Sequence, residues 1–194
     1  MKKPAILLVL FLMCLTQGCK SSQEADRETL EIKKDGSIVE TIRESFEEEY
    51  YNIEELESYI ASAVAAYNED FEDAHIEMDK CSLKGKIAQA VLTYDSMDDY
   101  IGFNDMELFV GELSELADTS YHASVNLKDK KGTTVSLSHL IASGESYEAV
   151  VVTCPCEVKV SGKIAYVSDG VEISSGKVAD VILNDEAYAY IIYK

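Results

Sequence analysis

Five cysteines and three histidines are the side chains of this 194-residue sequence best suited to nucleophilic, redox or metal chemistry. Cys14 and Cys19 belong to an apolar N-terminal segment, which leaves Cys81, Cys154 and Cys156 to the body of the chain. Period-2 spacing puts Cys154 and Cys156 on one face of a strand, and Pro155 between them marks an edge, a bulge or a strand end. A bond between cysteines two positions apart closes a strained ring. These cysteines are therefore expected to be structural, either as small buried apolar residues or as one disulfide in which Cys81 pairs with Cys154 or Cys156. A thiolate zinc centre needs four ligands. Three sulfurs with His75, His122 or His139 would reach that number, but the two-residue gap of zinc-site cysteine pairs is absent. The histidines are scattered, and each reads as a surface or hydrogen-bonded residue. No metal centre and no other cofactor is expected.

Other catalytic patterns break on single residues. Gly144-Glu145-Ser146-Tyr147 lacks the second glycine of a nucleophile elbow, and a strand follows where that elbow needs a helix. With 36 acidic residues, any pair of carboxylates for glycoside chemistry is drawn as easily by chance as by design. The oxygen-rich stretches Glu69 to Asp73 and Asp95 to Asp105 would suit calcium, yet neither has the alternating acids and glycine of an EF-hand loop. Thr153-Cys154 at the end of an apolar strand resembles the cysteine strand of sortases, which pair a cysteine with a histidine and an arginine. No arginine follows Arg43, so the family's arginine has no counterpart. The twelve tyrosines are the least bland feature. Tyr50-Tyr51 precede the best helix, while Tyr188 and Tyr190 share one face of the last strand with Ile192. Exposed aromatic rings bind sugars or partners. The lack of tryptophan weakens that case, and core packing is the expectation for most of them.

The first residues speak about location. Met1-Lys2-Lys3, an apolar run from Ala5 to Leu15, and Thr16-Gln17-Gly18-Cys19 form a secretory signal over 1–18. The run is too short to span a membrane, which takes about 20 apolar residues. The Gly18-Cys19 junction resembles the lipobox of bacterial lipoproteins, in which the cysteine is acylated; Thr16 stands where that family prefers leucine. The resemblance implies lipidation at Cys19 and a chain held at the extracytoplasmic face of the cell membrane. Residues 19–28 are then a polar linker on the lipid anchor, about 30 Å when stretched.

Loss of residues 1–18 removes Lys2 and Lys3 and no acid, so the net charge of −19 becomes −21. Such an excess repels nucleic acid and anionic headgroups, which depend on Lys and Arg contacts. No nucleic-acid partner is expected. About 176 remaining residues suffice for one domain with a proper core.

That domain, over 29–194, reads as α+β. Alternating runs at Thr29–Ile32 and Ile38–Ile42 flank Asp35-Gly36, a hairpin signal. Asn52 can cap a helix, with Glu55 placed as in a capping box. Ile53, Leu56, Ile60, Ala63, Val64 and Tyr67 then give one apolar stripe over about 53–68. A short helix opens at Ser96 and a helical turn covers Leu113–Ala117. Strands are expected at 76–81, 86–94, 107–111, 123–127, 134–137, 148–153, 157–160, 163–167, 171–173, 177–183 and 187–193. Turns between them leave no room for crossover helices, so the sheet is mainly antiparallel. A meandering sheet with one long amphipathic helix packed on it is the architecture expected.

Taken whole, with its signal, acidic linker, Tyr51-Asn52-Ile53-Glu54-Glu55-Leu56-Glu57 helix start and Ala189-Tyr190-Ile191-Ile192-Tyr193-Lys194 end, the chain resembles small lipoproteins of Gram-positive anaerobes. The resemblance implies location and architecture and nothing catalytic. The expected function is that of a membrane-anchored extracytoplasmic lipoprotein, a non-enzymatic binding or envelope-associated module with a protein or carbohydrate ligand. The alternative is an extracytoplasmic enzyme whose site comes from residues distant in sequence.

Overall fold

A computed structural model of the protein describes residues 27–48, 50–71, 73–121, 124–183 and 187–194. Cys19, the signal over 1–18, most of the linker and His122 lie outside them.

The chain is α+β, with thirteen described strands in two mostly antiparallel sheets. The first strands are β1 (Thr29–Ile32) and β2 (Ile38–Ser45), joined through a turn in which Gly36 takes a φ of 91°. Next come α1 (Ile53–Asp70), β3 (Ile76–Lys84), β4 (Ile87–Tyr94), α2 (Met97–Asn104) and β5 (Leu108–Glu112). A 3-10 helix, Leu113–Asp118, precedes β6 (Asn126–Lys128), β7 (Thr134–Ser136) and α3 (Leu137–Ala142). The rest is β8 (Glu148–Val152), β9 (Glu157–Lys159), β10 (Ile164–Ser168), β11 (Val171–Ile173), β12 (Val178–Val181) and β13 (Ala189–Tyr193).

The strands expected to form one meander divide between two sheets. The first runs β11-β12-β9-β1-β2-β4-β3 and the second β5-β8-β13-β10-β6-β7. Chain returns from one sheet to the other explain the split. After β8 the chain crosses over and lays β9 parallel to β1, with Leu30 beside Val158.

One core fills the space between the sheets. Leu30, Ile32, Ile38, Leu92 and Val158 face Val150, Val152, Ala189 and Ile191, and Ile60 and Val64 of α1 join them. A second core lies on the outer face of the second sheet, where Val151, Tyr190 and Ile192 pack under Leu113 and Leu116 and under Leu137 and Leu140 of α3. Strands β8 and β13 are therefore buried on both faces. This accounts for their unbroken apolar runs and for the two apolar faces of the last strand.

Helix α1 begins where the sequence places it. The Asn52 side chain accepts hydrogen bonds from the N–H groups of Glu54 and Glu55 at 2.9 and 3.4 Å. Its far end is tied down by Asn68, whose amide both donates to the Ile76 carbonyl and accepts from the Ile76 N–H. Helix α3 replaces the end of an expected strand at 134–137. The Ser136 hydroxyl accepts from the His139 N–H and starts a six-residue helix, too short to leave a periodic signature.

Candidate functional site

Two places gather side chains with chemical potential. The first is a polar cluster at the crossover from β8 to β9. On β2, Ile38, Glu40 and Ile42 alternate with Val39 and Thr41, so Glu40 projects from the apolar face of its strand toward the space between the sheets. The buried Tyr94 hydroxyl, on β4, donates to Glu40 Oε2 at 2.6 Å, and the Asn104 amide at the end of α2 donates to the Tyr94 oxygen at 3.1 Å. Burial pushes the Glu40 carboxyl up from 4.5 to about 7, with the charge of Glu28 acting in the same direction and the Tyr94 and Asn104 hydrogen bonds acting against it. Glu28 is raised as well, by burial and by Glu44. The Tyr94 and Tyr100 phenols are pushed far up, chiefly by burial and then by the Glu40 charge.

Cys154 and Cys156 stand beside this group, within electrostatic reach of Glu28, Glu40 and Tyr100. Their sulfurs are 3.9 Å apart, within S–H···S distance. Cys154 is half-buried, Cys156 is buried and Pro155 between them is exposed. The Cys154 thiol is held below the ordinary thiol range because the Cys156 thiol hydrogen-bonds to its sulfur; burial and the two carboxylates oppose this. Cys156 is held well above that range by the same hydrogen bond and by burial.

The expected pairing of Cys81 with Cys154 or Cys156 is not present: all three thiols are free. Topology is the reason. Cys81 sits on β3 at one edge of the first sheet, four strands away from β9. At about 4.8 Å per strand, that is close to 19 Å, and a disulfide needs Cα atoms within about 7 Å. Burial and the charge of Glu57 push the Cys81 thiol up. His75 and His139 are exposed and belong to neither gathering. Among the described residues, no three His, Cys, Asp or Glu side chains converge as a set able to hold a metal.

The chain matches no protein-family model, no curated protein and no solved structure.

The second place is an aromatic surface where β2 runs into α1. Phe46 and Tyr51 stack with ring centroids 4.8 Å apart, and Tyr50 meets Tyr51 edge-on at 4.9 Å. Tyr50 is 76% exposed, the most exposed of the large apolar side chains described. The Phe46 N–H donates to the Lys86 carbonyl at 2.7 Å, which seats the cluster beside the β3–β4 turn and exposed Leu83. Glu44, Glu47 and Glu48 surround it with exposed carboxylates. The Tyr51 phenol is raised by desolvation, by its hydrogen bond with Tyr50 and by Glu48 and Glu44.

Residues Arg27 and Glu28 lead into β1 at this same end of the first sheet. Thr29 lies opposite Thr41, and β2 continues past it to Ser45 and the aromatic cluster. The Arg43 guanidinium donates to the Arg27 carbonyl at 2.6 Å, and Arg27 pairs with Asp180 at 2.7 Å. Among the described residues, open hollows lie at the β1–β2 turn around Lys33 and Asp35 and between Lys128 and Glu172.

The sequence contained the signals for both places. Glu40 alternates with Ile38 and Ile42, a carboxylate on an apolar face. Tyr50-Tyr51 stand just outside the helix cap, where the apolar stripe has not begun.

Proposed function

We propose that this protein is a lipid-anchored module on the extracytoplasmic face of the cell membrane, tethered through Cys19, and that it binds a neutral or amino-sugar glycan of the envelope. The observation that supports a ligand of this kind is the exposed ring of Tyr50, stacked on Tyr51 and Phe46. Pyranose rings present C–H faces that pack on aromatic surfaces. Their hydroxyls and ammonium groups hydrogen-bond to carboxylates such as Glu44, Glu47 and Glu48. Net charge of −19 opposes polyanionic glycans. With an anchor at Cys19, the aromatic end of the sheet is also the end nearest the lipid, because the chain enters β1 there. The reachable ligand then lies within about 30 Å of the bilayer, the span of the stretched linker.

The test uses the full chain, fractionated from cells and then passed over chitin and cellulose as amino-sugar and neutral probes. The parent should partition with membrane, and Cys19→Ser should release it or leave it unprocessed. The detergent-extracted parent should be retained by one of the two polymers, and Tyr50→Ala with Tyr51→Ala should weaken retention about tenfold. Retention by neither polymer, equal retention of the variant, or binding only to protein-free vesicles would overturn the glycan reading. Membrane partitioning unchanged by Cys19→Ser would overturn the anchor.

A further inference from the structure

The crossover between the two sheets carries two neighbouring thiols, Cys154 and Cys156, and they differ in access. Cys154 follows β8 and is half-buried; Cys156 precedes β9 and is buried among Val158, Tyr100 and the rest of the inter-sheet core. A 3.9 Å separation of the sulfurs is short of a bond and within reach of one by side-chain rotation. A disulfide across one intervening residue closes a small, strained ring. Such bonds are reduced readily, which suits exchange and not permanent cross-linking. Nothing in the packing requires the bond, since the thiols already fill their places in the core as free groups.

We propose that Cys154 and Cys156 are a thiol–disulfide exchange pair, with Cys154 the attacking sulfur and Cys156 the resolving one, acting on a disulfide of a small molecule or an extended peptide. The proposal is independent of the glycan reading and of the anchor.

The roles follow from position. Cys154 alone of the two has solvent access, and the neighbouring thiol stabilises its thiolate, the form that attacks. In the first step the Cys154 thiolate attacks one sulfur of the partner disulfide. The partner S–S bond breaks, a Cys154–partner S–S bond forms, and the departing thiolate takes a proton from water. In the second step Cys156 gives up its proton and attacks the Cys154 sulfur. The mixed disulfide breaks, and the second partner thiolate leaves with that proton. Two cysteine thiols have been oxidised by two electrons to one disulfide, and the partner disulfide has been reduced to two thiols. Glu28 and Glu40 face both sulfurs from β2 and from the residues before β1, and Tyr100 faces them from α2. The charges of Glu28 and Glu40 oppose a standing thiolate, while the hydrogen bond with Cys156 outweighs them and favours it on Cys154.

Oxidised glutathione is the probe, added to the folded full chain and quenched with acid. Trypsin then releases Gly132–Lys159, which contains Cys154 and Cys156 and no other cysteine. The expected peptide has lost the mass of two hydrogen atoms and retains no glutathione. In Cys156→Ser it should retain one glutathione on Cys154. In Cys154→Ser the Cys156 thiol should stay unmodified until the protein is denatured. These outcomes require attack at the half-buried sulfur and resolution by its neighbour. A wild-type peptide that keeps glutathione, or that is unchanged after exposure which modifies the denatured chain, overturns the proposal. The wild-type result stands alone, so failure of either variant to fold does not protect it.

Discussion

Glu40 projects a largely buried carboxyl between two sheets, where the Tyr94 hydroxyl donates to it at 2.6 Å and the Asn104 amide at 3.5 Å. Its proton is therefore held to about pH 7 instead of 4.5, and the cause is burial. Between those values the folded protein binds a proton that the unfolded chain has released. Stability is thus highest below about pH 4.5 with respect to this group, and falls as pH rises through 7. At 1.36 kcal/mol per unit, reduced for partial solvent contact, the loss is about 2 kcal/mol. Urea unfolding at pH 5 and pH 8 should show the parent losing about 2 kcal/mol more than Glu40→Gln over that interval; parallel pH profiles would contradict the burial argument. The position of Glu40 was legible, because alternation fixes which face a strand residue occupies. Its pairing with Tyr94 was not, since 54 residues separate them and only the sheet order β2-β4 brings them together. The cysteines show the same division. Period-2 spacing located Cys154 and Cys156 together, whereas excluding the expected link to Cys81 required knowing that three strands intervene between β9 and β3.

At the scale of elements, periodicity and punctuation were the readable part. Helix α1 was legible from its cap and stripe, and most strands from alternating runs between turn residues. The unread part consists of contacts that have no local signature. Asn68 is one: a polar residue in the last turn of a helix, whose amide closes two hydrogen bonds on Ile76 across the turn. Asn68→Ala leaves a backbone N–H and a carbonyl without these partners next to a buried side chain. It should cost about 1–3 kcal/mol in urea unfolding, with Asn68→Asp, which keeps the acceptor, costing less than Ala. Equal stability of Asn68→Ala and the parent would mean water replaces both bonds. A recurring Gly-Lys-(Ile/Val)-Ala phrase shows how sequence likeness can mislead. Gly85 turns with a φ of 64°, Gly176 has open space around it, and Gly162 lies against the Lys194 carbonyl so closely that a Cβ would collide with it. Three copies of one phrase start β4, β12 and β10, yet only Gly85 and Gly162 meet a local demand for glycine, and the two demands differ.

For the molecule as a whole, the inter-sheet core joins residues from both sheets, from α1 and from α2 in a single cluster. Neither sheet can lose the other without exposing that core, so calorimetry of the full chain should give one cooperative transition. Two well-separated transitions would divide residues 29–194 into two folding units. The sheet order also sets how the protein meets force. Strand β1, the first described strand, lies in the interior of its sheet, with four residues in register against β2 on one side and three against β9 on the other. Tension on the chain at Arg27 runs along the strand axis, so it strains both ladders in shear and all their bonds resist together. A peeling edge strand would give way one bond at a time. A chain pulled along that axis from its N-terminal side is thereby gripped by two ladders at once and not by a single peeling edge.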